Sequence, residues 1–166
     1  DMEITYDNSS HRNSEICFFQ DQDLYNFLNP LVNTANKSGG WNYDWNWFEP
    51  IQMTKYGLNQ YYSWHKDAFQ VTYGEKHAKE WRGKDRKLSV IISLNDSKDY
   101  KGGELIFDNR LYEREEDRHL SQSECKEYRK QGTVVVFPST LYHKVNPVTE
   151  GTRHSLVIWC LGPPLR

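Results

Sequence analysis

From residue 41 onward most of the chain shows one kind of signal: short runs alternating apolar with polar residues, cut by Gly, Pro and Asn, with no internal repeat. A period of two marks a strand with one buried face. Ile51 and Met53 alternate with Gln52, Thr54 and Tyr56, and Leu88, Val90, Ile92 and Leu94 with Ser89, Ile91 and Ser93. A run at 104–108 follows Gly102-Gly103, and one at 133–137 ends at Pro138-Ser139. The run at 153–161 separates Arg153, Ser155, Val157 and Trp159 from His154, Leu156, Ile158 and Cys160, and Ile16-Cys17-Phe18-Phe19 offers an earlier strand. One helical stripe precedes most of this: Leu24, Phe27, Leu28, Leu31, Val32 and Ala35, with Asp21 and Asp23 in the first turn and Gly39-Gly40 at the end. Pro30 should kink or divide that helix. A single helix followed by many short, punctuated strands predicts a mostly β fold with helical support, a jelly roll or barrel.

At 166 residues the chain reads as one domain, 1–166, with helical support at about 20–38 and a jelly-roll core at about 47–162. A net charge of −2 gives no bulk attraction to nucleic acid or membrane. The apolar runs at 88–94 and 156–161 are too short to span a bilayer. There is no signal-peptide pattern. Cys17, Cys125 and Cys160 are odd in number and lack metal-type spacing, which predicts reduced thiols and a cytoplasmic protein. No nucleic-acid or membrane partner is expected, and a monomer is favoured. Residues 74–87 and 109–131 are highly charged without apolar periodicity and read as surface loops. Loops of that length are often functional.

The chemistry-bearing stretch is 56–67, Tyr-Gly-Leu-Asn-Gln-Tyr-Tyr-Ser-Trp-His-Lys-Asp. His65 and Asp67 stand at i and i+2, which on a strand leave the same face roughly 6.5–7 Å apart at the backbone. An imidazole nitrogen and a carboxylate oxygen so placed can converge on one metal ion. A second histidine completes a 2-His-1-carboxylate facial triad, the donor set of non-haem Fe(II) oxygenases. His143, leaving the Phe137-Pro138-Ser139 turn into a strand, is the best third ligand. Arg153 opens the last strand and can hold a carboxylate bidentately. Two His, one Asp and one Arg describe a site for Fe(II) and a dicarboxylate cosubstrate. Trp64 points to the face opposite His65 and reads as core packing. Glu104 reads as structural.

These stretches, with Leu-Ser-Val-Ile-Ile-Ser-Leu-Asn (88–95), Tyr-Lys-Gly-Gly-Glu-Leu (100–105), Gly-Thr-Val-Val-Val-Phe-Pro-Ser (132–139) and the run from His143 to Trp159, resemble the 2-oxoglutarate- and Fe(II)-dependent dioxygenase superfamily, in its prolyl 4-hydroxylase-like branch of small microbial and phage enzymes. The resemblance implies a double-stranded β-helix, cupin-like. It implies iron ligation by His65, Asp67 and His143, with Arg153 on the distal carboxylate of 2-oxoglutarate. Tyr56 corresponds to a cosubstrate-touching tyrosine, and Ser93 stands where relatives often carry Thr or Tyr. Trp159 corresponds to a pocket wall, and Tyr62 to an aromatic on the substrate side. Tyr62 has the wrong parity relative to His65 on an ideal strand, so a bulge or twist is required to bring it in. Trp81 and the basic residues of 74–87 would form a lid over an extended peptide.

The resemblance further implies O2 as cosubstrate, release of succinate and CO2, and ascorbate as a reductant. The expected activity is hydroxylation of a prolyl residue in a peptide or protein substrate. The same chemistry on a free amino acid or small metabolite is an alternative, as is a non-catalytic jelly-roll binding module. A zinc hydrolase would want a general base beside the metal, and none stands at suitable spacing.

Overall fold

A computed structural model describes residues 3–69, 71–109 and 115–164. Strands β1 (Thr5–Asn8) and β2 (Arg12–Phe19) precede helix α1 (Gln22–Ser38). Then come β3 (Trp47–Phe48), β4 (Ile51–Tyr56), β5 (Tyr61–His65), β6 (Asp85–Ser93), β7 (Tyr100–Gly102), β8 (Leu105–Asp108) and β9 (Gln122–Glu124). The chain closes with β10 (Val134–Pro138), β11 (Tyr142–Val145), β12 (Val148–Gly151) and β13 (Arg153–Gly162). The main sheet runs β10-β6-β13-β4-β2-β5-β11-β8-β9, with β1 on β2 and β3 on β13, while β7 pairs with β12. All of these strand pairings are antiparallel, and the sheet curls into a double-stranded β-helix.

The strand alternation sorts the interior into two zones. Ile51, Leu88, Val90, Ile158 and Cys160 face away from the barrel axis and pack with Leu28 and Val32 of α1. Their in-between neighbours on the same strands, Gln52, Tyr56, Ile91, Val157 and Trp159, line a cavity inside the curl. One face is thus aliphatic and closed by the helix, and the other is aromatic and polar. No helix among the described residues is long and apolar enough to cross a membrane.

Helix α1 begins where the Asp21 side chain accepts from the Leu24 amide at 2.8 Å, an N-cap. Contrary to expectation, Pro30 does not divide it. Pro30 and Asn26 are both exposed, so the carbonyl that loses its helical donor faces water. The buried stripe is also narrower than the periodicity implies: Leu28 and Val32 are fully covered, but Phe27 is 60% and Leu31 41% exposed. A helix crossing a twisted sheet makes close contact along one line only.

Three other expectations change. Trp64 is not core; it lies half-buried with the Lys144 ammonium 4.9 Å from its ring. The segment 74–87 is not all loop, because β6 already begins at Asp85. The segment 109–131 carries β9 and two 3₁₀ helices, Glu115–Ser121 and Lys126–Arg129, and it buries Tyr128; its residues 110–114 lie outside the described residues.

Truncation of Leu28 to Ala should cost about 2–5 kcal/mol of stability, because it opens a cavity between α1 and the sheet. Leu31→Ala should cost a fraction of that. Urea unfolding of both variants checks this, and equal losses would contradict the packing described.

Candidate active site

Strands β5 and β11 build one end of the cavity. Their register sets His65 and His143 directly across from each other as Cα partners. The next pair is Val145 with Tyr62, so two steps on β11 match three on β5. That extra residue is a β-bulge, which re-aims side chains on the bulged strand. It brings Tyr62 and His65 to one side despite their odd spacing, and their rings stack at 3.5 Å between centroids. β5 ends at His65, so Asp67 sits in the following bend, held by its neighbour Ala68, whose amide donates to the Ser139 carbonyl at 2.9 Å.

Three donor groups converge here. The ligand atoms of His65, Asp67 and His143 lie within 4.8 Å of one another and could hold a metal ion. Each imidazole is oriented from behind, His65 Nδ1 donating to the Ser63 carbonyl at 2.8 Å and His143 Nδ1 to the Leu141 carbonyl at 3.0 Å. A carbonyl only accepts, so both protons reside on Nδ1 and both Nε2 lone pairs face Asp67, 3.7 Å from its two oxygens. The Ser89 hydroxyl donates to Asp67 Oδ2 at 2.7 Å, and Ser139 Oγ stands 2.9 Å from Ser89 Oγ. Two neutral imidazoles and a carboxylate suit a divalent cation such as Fe(II).

The electrostatics agree. Burial first, and then the neighbouring imidazole of His143, push His65 down from 6.5 to about 3. Burial alone would raise Asp67, but His143, His65, the Ser89 hydrogen bond and Arg86 outweigh it and hold its carboxyl below the usual range.

The other end of the cavity is Arg153, opposite Tyr56 in the β13–β4 register and only 1% exposed. Its guanidinium carbon lies 4.8 Å from the Tyr128 ring centre and 5.2 Å from that of Tyr56. Nη1 donates to Ser155 Oγ at 3.3 Å, while Nε and Nη2 have no partner among the described residues. The buried hydroxyls of Tyr128 and Tyr100 also lack one. Gly103, at φ +64°, permits this placement, since a Cβ there would come within 3.0 Å of Arg153 Cδ. A buried cation with idle donors is costly unless an anion completes it. The fit is to a carboxylate.

The cavity between these ends measures about 340 Å³. Tyr56, Tyr62, Trp159 and Arg153 all line it with the three metal-type donors. Ser93 does not; its hydroxyl donates to the Asn95 carbonyl at 2.9 Å, and Ser155, its Cα partner on β13, lines the wall instead. Trp81 is not brought there either, its ring packing 5.5 Å from that of Tyr73. Glu104 bonds Asn146 at 3.1 Å and pairs with Arg129 at 3.4 Å.

Several contributors escaped sequence reasoning. Arg86 is clamped by Glu49 through two 2.7 Å hydrogen bonds, lies 3.7 Å over the Trp159 ring, and donates to the Asp67 carbonyl at 3.3 Å. It therefore ties the backbone of a metal-type donor to the opposite wall. Arg12 enters the wall from β2. The alternation of Arg12, Ser14, Ile16 and Phe18 would have found it had the first strand been extended backwards. Nothing in the sequence around Tyr128 marks it.

A curled double-stranded β-helix with two histidines and an aspartate converging at one end and a buried arginine at the other defines the architecture of a metal-dependent oxygenase. Residues 51–161 match the family model of the 2OG-Fe(II) oxygenase superfamily, and the chain belongs to that family. A PKHD-type hydroxylase of Psychrobacter sp. (strain PRwf-1) is 33% identical over 110 residues, 66% of this chain and 37% of that protein. The chain thus spans well under half the length of the curated relatives it matches. A Pseudomonas putida prolyl-4-hydroxylase has a similar fold, with TM-score 0.67 and 19% identity over 95% of this chain and 77% of that one. So does a Trichoplax adhaerens prolyl hydroxylase in complex with a hypoxia inducible factor oxygen degradation domain peptide fragment, with TM-score 0.65 and 16% identity over 95% and 70%.

Because His65 titrates below its ordinary value, the metal-free protein should lose stability as pH falls from about 6.5 toward 3, and the lowered carboxyl of Asp67 should add a further loss only below its ordinary 3.8. Stability against urea, measured across this range, should decline on the acid side. An NMR titration placing the His65 midpoint near 6.5 would contradict the burial argument.

Proposed function

We propose that this chain is an Fe(II)- and 2-oxoglutarate-dependent dioxygenase that hydroxylates a prolyl residue of a peptide or protein, with release of succinate and CO2. The observation that carries the reading is the pairing, within one cavity, of the His65–Asp67–His143 cluster with the idle guanidinium donors of Arg153. Iron with 2-oxoglutarate and O2 supplies the oxidant: one oxygen atom enters succinate, the other becomes the new hydroxyl, and the cosubstrate carbon is lost as CO2.

His65 and His143 offer neutral Nε2 donors, and Asp67 offers a carboxylate oxygen, while Ser89 steadies the other. Three protein donors on one side leave room on the metal for small molecules. Arg153 binds the distal carboxylate of the cosubstrate, and a guanidinium suits this because it stays charged when buried. Ser155 and Tyr128 supply the hydroxyls beside it, the role expected of Ser93. Ile91 and Val157 keep the wall apolar, and Trp159 covers the side by Asp67. Tyr56 touches the cosubstrate, and Tyr62, fixed on His65, forms the substrate side. The peptide-bearing Trichoplax structure favours a peptide or protein substrate. Residues 1–166 act as one domain, and three free thiols suit a reducing compartment.

His65→Ala should abolish succinate release under Fe(II), 2-oxoglutarate and O2, and should also weaken Fe(II) or Mn(II) binding by calorimetry. Retained turnover would overturn the reading. Arg153→Gln should raise the KM for 2-oxoglutarate by about tenfold or more, the worth of one charge-assisted pair. An unchanged KM would remove Arg153 from the cosubstrate site.

A further inference from the structure

The described cavity wall carries four cations, Arg12, Lys66, Arg86 and Arg153, against one carboxylate, Asp67. Arg86 is neutralised from behind by Glu49, with both nitrogen–oxygen distances 2.7 Å. Arg153 is assigned above to the cosubstrate. Lys66 is exposed at the mouth, 5.1 Å from the Tyr142 ring.

Arg12 remains without an assignment, and it is not a surface residue. It sits on β2 opposite Tyr62 of β5, with its side chain only 10% exposed. Its guanidinium lies 4.6 Å over the Tyr62 ring, and Tyr62 also stacks on His65. Its Nε donates to Ser14 Oγ at 2.8 Å. Among the described residues its one ion-pair neighbour is Asp7, 3.8 Å from that same Nε and with a side chain 36% exposed. That distance is beyond hydrogen bonding. Five N–H groups belong to a guanidinium; the Tyr56 hydroxyl engages one, and the others on the terminal nitrogens can meet a planar anion. Its neighbours are Tyr62, which stacks on His65, and Tyr56, which stands opposite Arg153, so the guanidinium lies between the metal-type donors and Arg153.

We propose that Arg12 is a specificity-determining residue that binds a carboxylate carried by the substrate beside the carbon to be hydroxylated. This rests on the dioxygenase reading. The cosubstrate has other partners: Arg153 matches its distal carboxylate, and His65, Asp67 and His143 would hold the metal that takes its other end. An arginine already stacked on an aromatic face is held in place for a bidentate partner. Lys66 at the entrance adds a second positive charge that draws anions inward. The carboxylate has two possible sources: an aspartyl or glutamyl side chain next to the target prolyl residue, or the α-carboxylate of a free amino acid.

Two matched pairs separate the sources: an Asp-Pro peptide against its Asn-Pro counterpart, and L-proline against L-prolinamide. Succinate release and hydroxylated product are measured for each with the full chain, together with equilibrium binding to Zn(II)-loaded protein plus 2-oxoglutarate, which does not turn over. In one pair the acidic member should bind about tenfold more tightly than the neutral one, as one charge-assisted contact provides. Arg12→Gln should collapse that ratio, Arg12→Lys should keep part of it, and the KM for 2-oxoglutarate should move less than that for the substrate. Circular dichroism melts confirm that the variants fold. Equal affinity for acidic and neutral members in both pairs would overturn the inference. So would an Arg12→Gln variant whose main defect is in 2-oxoglutarate KM. Succinate formation in no arm counts against the dioxygenase reading instead, and the Zn(II) binding ratios still decide the role of Arg12.

Discussion

The antiparallel pairing of β5 with β11 is the constraint on which the site depends. It sets one imidazole across from another in a buried cavity, where burial and the neighbouring His143 ring hold His65 well below its ordinary value. The backbone carbonyls of Ser63 and Leu141 take the Nδ1 protons and leave two lone pairs aimed at one carboxylate. Such a donor set suits a divalent cation. The bulge in the same pairing turns Tyr62 onto His65, so one irregularity in the ladder places both a metal-type donor and an aromatic wall.

The opposite end answers with a buried guanidinium. Arg153 sits between two tyrosine rings and keeps two nitrogens without partners among the described residues. Desolvating a cation this far is unfavourable unless an anion meets it, so this end of the cavity suits an anionic ligand. The two ends are mechanically linked. Glu49 fixes Arg86, Arg86 lies on Trp159 of the strand that carries Arg153, and Arg86 also holds the Asp67 backbone.

Much of this was legible residue by residue. The His65–Asp67 spacing, the position of His143 after a Pro-Ser turn, and the alternation placing Arg153 with Trp159 are local patterns, and the structure puts all five residues around one cavity. Ser93 misled because parity identifies the face of a strand but not how far along that strand the cavity reaches; its hydroxyl closes on Asn95. Phe27 and Leu31 misled because periodicity reports which residues could face a sheet, not how wide the contact is. Trp81 went to Tyr73, since a long connection can fold on itself as well as over a pocket. Tyr128 gave no signal, being a single buried side chain in a charged segment.

What the amino-acid order determined by itself was the period-two strands, the one capped helix and the types of donor available for metal and carboxylate. These depend on neighbours a few residues apart, where backbone geometry dictates direction. Only the tertiary structure decided which strand lies beside which, where the ladder bulges, and that Arg12 comes to the cavity and Tyr128 to Arg153. Those outcomes depend on pairings between distant segments, and register and burial are properties of both partners that neither encodes alone.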